Sequence, residues 1–528
     1  MSIRKWRRRS AYSWPSTRWM AFRTKPMTSE TRTRALVLDG STLTIEDVHA
    51  AAAGLVRVEI AEDAWQQVIR SRQFMLKQTA SDTPIYGFNR GVGLNKDRIV
   101  EEQAYESYNR SLLYAHSAGV TPYADVRDVR AAMLARLNTL LVGTTGASPS
   151  LIRQYAEFLN AGIHPLLPTR GSVGAGDITL LSHLGLAFIG EGDVMYKGER
   201  ISAKAALIHA GLEPVKLGAK DGLAIVSSNA FAAGSGALVI HECEQLLELA
   251  DLVCALSLEA LQGQLSPLDE SVHRSRPYEG QGRSSSRMRI FLSRSSLWDN
   301  RAVALQDPLS FRSASPVHGA ALEALNYARS SLQLHLNSSE DNPCVLEEEG
   351  RILATASFEP LAWVLGFEML GIALSHVSKI SCYRSIKLCT PSFTGLPRFL
   401  APEEHILAFS TIQKTFTALD TEIRQLSNPV SADYYSLAGD MEDHSTNAPL
   451  AVHKTAEIID RLTYILAIEA MHAAQAIDLR KNIKLGEGTR HAYNRIRSVI
   501  PFLDRDRSLS GDVQAVYTLL KAGELGQK

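Results

Sequence analysis

Apolar residues recur at helical spacing from 125 to 160, and after about residue 230 they dominate the chain. The stretch 231–262, FAAGSGALVIHECEQLLELADLVCALSLEALQ, runs about thirty residues without proline, and 361–389 and roughly 450–480 do the same. Helices of that length, apolar over much of their circumference, need burial by neighbouring helices or by other subunits. Ahead of them the pattern is weaker. Residues 35–60 read as short strand and helix pieces, with Thr44, Glu46 and Asp47 forming a helix N-terminus. Residues 81–96 and 162–178 are glycine-rich, polar and unpatterned, and read as loops. The Ser/Arg/Gly-rich segment 275–298 reads as a mobile excursion between helices. The expected fold is mainly α. A loop-rich N-terminal region over 36–230 carries the sites, and a long central helical bundle occupies 231–528.

Composition narrows the partners. Hydrophobic residues make up 45% and charged residues 21% of the 528, and the 56 Lys+Arg balance the 56 Asp+Glu. That balance gives no reason to expect nucleic acid or an anionic membrane, and no apolar run is expected to reach bilayer length. The first 26 residues differ, with eight Lys/Arg and no acid. No apolar segment follows these arginines, so residues 1–35 are expected to be a disordered basic leader or to precede the true start, with Met20 and Met27 as alternatives. Cys243, Cys254, Cys382 and Cys389 fall in apolar helical stretches, and none of the five cysteines forms a CxxC pair. Buried free thiols and a reducing, cytoplasmic compartment fit that usage. His164, His183 and His318 are isolated, so no metal is implied, and neither a dinucleotide fingerprint nor a P-loop is present.

The chemistry-bearing motifs come next. The segment TRGSVGAGDITLLSHLGLAFIGEG (169–192) resembles the signature of the aromatic amino acid lyases, the histidine and phenylalanine ammonia-lyases, which normally reads Gly-Ser-Val-Gly-Ala-Ser-Gly-Asp. Further blocks follow in that family's order: YGFNRGVG (86–93), LLYAHSAG (112–119), QDPLSFR (306–312), NSSEDNP (337–343, against Asn-x-x-Ser-Asp-Asn-Pro) and EDH (442–444). The resemblance covers roughly residues 36–500. It implies a mainly α-helical subunit and a homotetramer whose active sites draw on three chains, acting on a small molecule.

One residue of the signature is missing. In the family an Ala-Ser-Gly triplet cyclises and dehydrates to an electrophilic methylidene-imidazolone group. Here Gly174-Ala175-Gly176-Asp177 lacks the serine, and neither Ala175 nor Gly176 carries a hydroxyl to lose. The degenerate site therefore implies no cofactor. An ordinary α-amino group is a poor leaving group without that electrophile. A quaternary ammonium departs as a neutral amine, so base catalysis and positioning suffice. The electrophile-lacking branch of the family, the ergothionases, is similar in this respect: it expels trimethylamine from ergothioneine to give thiolurocanate.

The resemblance assigns roles by position. Tyr86 matches the loop tyrosine that removes the β-proton. A phenol of ordinary pKa about 10 needs nearby positive charge for that role, and Arg90, where the family has Thr, is a candidate, or else a solvated loop arginine. Arg312 matches the arginine that binds the substrate carboxylate, a task suited to a planar guanidinium. Leu309 replaces the tyrosine that handles the amine. His116 aligns with the histidine of histidine-specific members, and Phe358 with the aromatic that lines the ring pocket. Glu442 matches the late glutamate beside the amine. Lys414, next to Gln413, either holds a thiolate on the ring or is an exposed helix lysine. Ser227-Ser228-Asn229 replaces the family's Asn-Gly-Thr, so that Asn229 either substitutes for the lost asparagine or caps a helix. Asn337 opens the Asn-x-x-Ser-Asp-Asn-Pro block and is expected at the substrate. Glu359 stands where the family has His. Three functions follow: elimination of trimethylamine from a histidine-derived betaine, an ammonia-lyase acting first on histidine, or a non-catalytic binder of imidazole compounds.

Overall fold

A capping box starts the first helix, α1 (Ile45–Ala52): the Asp47 amide donates to the Thr44 hydroxyl at 3.1 Å, and the Thr44 amide donates to the Asp47 carboxylate. This helix links two parallel strands, β1 (Arg34–Leu38) and β2 (Val56–Ile60), with Leu36 opposite Val58. The chain is seen in a computed structural model that describes residues 34–78, 83–299, 304–432, 434–480 and 483–525. Residues 1–33 of the basic leader lie outside the described residues, and its last two, Arg34 and Ala35, already open β1.

The proline-free apolar runs form long helices: α6 (Ala230–Leu261), α9 (Leu361–Leu388) and α11 (Ala448–Leu479). With α3 (Val126–Leu141) and α8 (Ala314–Leu336) they pack into the central bundle. One hydrophobic core extends from Leu36 to Leu525 and joins the N-terminal elements to these helices. Contrary to the sequence expectation, two runs, Asp221–Leu261 and Leu361–Leu388, each hold a stretch long and apolar enough to cross a membrane. The apolar window of the first is 89% buried inside the protein, which is what a core helix of a large bundle requires.

Charge stitches the bundle as well. Arg384 on α9 meets Glu469 on α11 through Nε at 2.6 Å and Nη2 at 2.9 Å, and both are fully buried. Ser257 on α6 donates to the same carboxylate at 2.7 Å, so three helices share one ion pair.

The expected excursion at 275–298 is instead largely helical, with α7 spanning Glu279–Phe291 and packed on α8. Its buried face is Gly280, Gln281, Ser284, Ser285 and Met288, which gives almost no apolar periodicity to read. Small size replaces hydrophobicity there: a Cβ on Gly280 would lie 2.3 Å from the Gly319 carbonyl oxygen. Asp251 on α6 anchors the helix by accepting from Ser284 Oγ at 2.5 Å, Arg287 Nε at 2.8 Å and His318 Nδ1 at 2.8 Å. Residues 162–178 also hold two short strands, Ile163–Pro165 and Pro168–Arg170, leaving 171–177 irregular. The four cysteines expected to be buried are buried free thiols.

Arg384→Met leaves the Glu469 carboxylate buried without its partner. It is expected to lower the unfolding free energy by about 3–5 kcal/mol, read by chemical denaturation, and Arg384→Met with Glu469→Met is expected to recover most of that loss.

Candidate active site

The signature loop, residues 171–177, is held from both sides. On one side the Asp177 amide donates to the Ser228 carbonyl at 2.6 Å. On the other, the Asn447 amide donates to the Val173 carbonyl, also at 2.6 Å. Gly174 sits at φ +82°, and a Cβ there would lie 2.7 Å from both the Ala448 amide and Thr446 Oγ1, so only glycine fits. Gly176 is left-handed too, at φ +77°. Inside the loop Ser172 Oγ donates to Asp177 Oδ1 at 2.8 Å and accepts from the Gly174 amide at 3.1 Å. The serine left in the loop is thus fully engaged in its turn. Ala175 is half-buried at the crest, and Asp177 is wholly buried just ahead of α4 (Ile178–Phe188). Its carboxyl accepts the Ala232 amide at 2.9 Å, and burial pushes its pKa up to about 7.

The Tyr86 loop lies against this region. Asn89 shapes it, accepting from the Ile85 amide at 2.7 Å and donating to the Thr83 carbonyl at 2.9 Å. Gly87, at φ +66°, lets the loop approach α5 (Asp221–Val226), for a Cβ there would lie 2.1 Å from Leu223 Cδ2. The Tyr86 hydroxyl accepts the Gly93 amide at 2.8 Å. The hairpin that pairs Leu437 with Glu442 packs over the same loop, with Lys96 Nζ 3.7 Å from Met441 Sδ. Burial raises the Tyr86 pKa, the Gly93 amide opposes it, and the Glu442 carboxylate raises it further. Sequence reasoning wanted a cation here and nominated Arg90. The charged group beside the phenol is Glu442, while Arg90 Nη1 donates to the Asn89 carbonyl at 3.0 Å.

Behind these groups the Asn229 side chain donates to the Phe358 carbonyl, which fixes the segment carrying Phe358 and Glu359. Asn229 is wholly buried at the N-terminus of α6, where its side chain makes no capping hydrogen bond and instead supports this segment. Glu359 Oε2 lies 3.4 Å from His444 Nε2, two residues beyond Glu442. His116, half-buried at the end of α2 (Tyr105–His116), is tied by Nδ1 to the Leu112 carbonyl at 2.7 Å. The turn after it touches the signature loop, since a Cβ on Gly171 would lie 3.2 Å from Gly119 Cα.

The remaining expected residues stand elsewhere. Arg312 ends the short helix Leu309–Arg312, which is fastened by Arg384 Nη1 to the Ser310 carbonyl at 3.2 Å. Gln413 and Lys414 begin α10 (Ile412–Leu426), whose Phe416 carbonyl accepts from Cys382 Sγ at 3.8 Å. Together with Thr417, Ala418 and Thr421 they lie along one open face of α10. Arg384 and Cys382 sit near the C-terminal end of α9, whereas Phe358 precedes its N-terminus. At about 1.5 Å per residue, the path from Leu361 to Arg384 covers about 35 Å. One chain thus gathers Tyr86, Glu442, His116, Phe358 and the signature loop at one end. It carries Arg312, Gln413 and Lys414 at the other.

Asn337 leaves the site altogether. Its Oδ1 accepts the Leu43 amide at 2.8 Å and Asn138 Nδ2 at 3.1 Å, and its Nδ2 donates to the Leu43 and Gln333 carbonyls, each at 2.8 Å. With every polar atom committed, it clamps α8 to the N-terminal segment. Sequence reasoning missed two groups. Tyr108 faces the Val92 amide beside Tyr86, and Glu340 is buried behind Ser228. The one signal for Glu340 was an acid standing where the matched motif has serine.

Comparison with known proteins identifies what the chain is similar to. The family profile described as "Aromatic amino acid lyase" matches residues 43–498. A histidine ammonia-lyase of Stigmatella aurantiaca is 38% identical over 93% of this chain and 97% of its own length. The crystal structure of the ergothioneine-degrading enzyme ergothionase from Treponema denticola, in complex with desmethyl-ergothioneine sulfonic acid, is 49% identical. It superposes with a TM-score of 0.91 over 93% of this chain and 99% of that one. The histidine ammonia-lyase structure from Trypanosoma cruzi, 29% identical, gives 0.86 over 93% and 94%.

A carboxyl whose pKa is raised on folding contributes most to stability when protonated. The contribution of Asp177 is therefore full below about 4 and is lost as pH rises through about 7. Asp177→Asn is expected to remove that fall, so native and variant stability curves diverge between those pH values. Parallel curves would show that Asp177 stays ionised throughout.

Proposed function

The chain belongs to the aromatic amino acid lyase family, and from that premise we propose that it eliminates trimethylamine from a histidine-derived betaine, ergothioneine, yielding thiolurocanate. The observation that carries this reading is the signature loop. It has no serine after Ala175, and its one hydroxyl, on Ser172, is bound within the turn. An amino acid lyase without the electrophile needs a substrate whose nitrogen already leaves as a neutral amine. The likeness to the ergothionase structure supports the same reading.

In the proposed reaction Tyr86, as phenolate, takes the proton from Cβ. The electrons of that C–H bond form the Cα–Cβ double bond. The Cα–N bond breaks, and trimethylamine departs with its electron pair while Tyr86 is left as a phenol. Glu442 lies beside the quaternary ammonium, Phe358 and His116 line the ring, Arg312 grips the carboxylate, and Lys414, with Gln413, meets the thiolate. In this reading Arg90 contacts the substrate's carboxylate or sulfur.

This assignment requires more than one copy, because Arg312 and Lys414 stand about 35 Å from Phe358 along α9. The exposed apolar residues support association as a homotetramer with shared sites. Leu365, Met369 and Ile372 form an exposed stripe on α9, and Leu305 and Leu309 are exposed beside Arg312. Five free cysteines fit the cytoplasm as its compartment.

Histidine ammonia-lyase activity is the second reading, favoured by the names of the sequence relatives. Purified enzyme given ergothioneine, hercynine and histidine separates the two. Trimethylamine and a conjugated ultraviolet-absorbing acid are expected from ergothioneine, whereas urocanate from histidine would overturn the proposal. Tyr86→Phe is expected to abolish turnover while substrate still binds.

The Glu442 carboxylate raises the Tyr86 pKa, so the active phenolate gains population as pH rises. Glu442→Gln removes one raising cause. The rising limb of the kcat/KM profile is expected to move toward lower pH, while KM for ergothioneine rises on the order of tenfold, about 1.4 kcal/mol.

A further inference from the structure

Two departures from the family pattern meet behind the signature loop. Ser228 stands at the glycine of the family's Asn-Gly-Thr, and Glu340 at the serine of its Ser-Asp-Asn-Pro. Ser228 Oγ donates to Glu340 Oε2 at 2.7 Å, and the Asn229 amide donates to Glu340 Oε1 at 3.1 Å. Both side chains are fully enclosed, Ser228 at 0% and Glu340 at 1% exposure.

A buried carboxylate is costly unless its charge and lone pairs are matched. Burial pushes the Glu340 pKa up, but His335, whose Nε2 lies 2.9 Å away, and Arg136, 3.4 Å away, outweigh it and hold it at about 2. Glu340 therefore stays ionised at every working pH. Arg136 does not need it for neutrality, since Asp341 lies 3.2 Å from Nη2 and the Ala224 carbonyl accepts from Nε at 3.0 Å. What depends on Glu340 is the turn at 227–230. The Ser228 hydroxyl, oriented by Glu340, also accepts the Ala230 amide at 3.0 Å. The Ser228 carbonyl holds the Asp177 amide, and the Asn229 side chain holds the Phe358 carbonyl.

We propose that Glu340 is a positioning residue. Through Ser228 Oγ and the Asn229 amide it fixes one turn, and that turn sets both the shortened signature loop and the ring-lining Phe358 segment. The effect on turnover rests on the lyase reading above; the effect on the two loops does not.

Ser228→Ala removes the hydroxyl link from the turn to Glu340, keeps the Asn229 amide contact and leaves the Arg136–Asp341 pair intact. Amide hydrogen exchange and steady-state kinetics test it together. Exchange in residues 171–177 and 355–360 is expected to accelerate about tenfold, with α9 unchanged. Trimethylamine release is expected to fall about tenfold in kcat with KM within about twofold, and Ser228→Thr, which keeps the hydroxyl, is expected to restore both. Glu340→Gln is expected to act in the same direction, and to add little to Ser228→Ala. Native exchange in both loops of Ser228→Ala would overturn the proposal, even if Glu340→Gln fails to fold. Altered exchange with native kcat would overturn the positioning role. Native enzyme that releases no trimethylamine would condemn the lyase reading alone, and the exchange result would still decide the role of the turn.

Discussion

The site depends on how residues 171–177 cross between two fixed backbones. Ser228 holds the Asp177 amide on one side, and Asn447 donates to Val173 on the other, each at 2.6 Å. Between them Gly174 meets the Thr446–Ala448 backbone so closely that no side chain fits. A loop so constrained has no slack in which to hide a missing residue. The loss of the serine is built into the closure, with Ser172 and the buried Asp177 completing the hydrogen bonds. On the proposed reading the substrate's nitrogen needs no activation by the loop, because a quaternary ammonium leaves as a neutral amine.

The electrostatics around Tyr86 lead in the same direction. Burial and the Glu442 carboxylate both oppose the phenolate. A quaternary ammonium group placed between them reverses part of that field. On the proposed reading the substrate thus supplies both the leaving group and some of the charge that activates the base. Competitors without a quaternary nitrogen bring a poorer leaving group, which gives the pair a role in choosing substrate as well as in chemistry.

Much of the fold was legible because its strongest signals are local. Proline-free apolar runs became α6, α9 and α11, and Thr44 with Asp47 became a capping box. α7 was hidden because its buried face is glycine, serine and glutamine, a packing solution that leaves no hydrophobic period. The motifs foretold that Tyr86, Glu442 and Phe358 would lie close to the signature loop. The motifs did not foretell the backbone contacts of Asn337 and Asn229, because a polar residue in a motif looks the same whether it meets substrate or backbone. Both spend their amides on backbone carbonyls. The separation of Arg312 and Lys414 from Tyr86 along α9 is a property of tertiary path, which no motif encodes.

The central claim is that catalysis here proceeds with an unmodified signature loop. Intact-chain mass spectrometry of enzyme that is demonstrably turning over tests it most directly. The account predicts the mass of the encoded polypeptide with no dehydration in the peptide containing residues 171–177. A deficit of two waters in that peptide would reveal an electrophile formed by another route and would contradict the account.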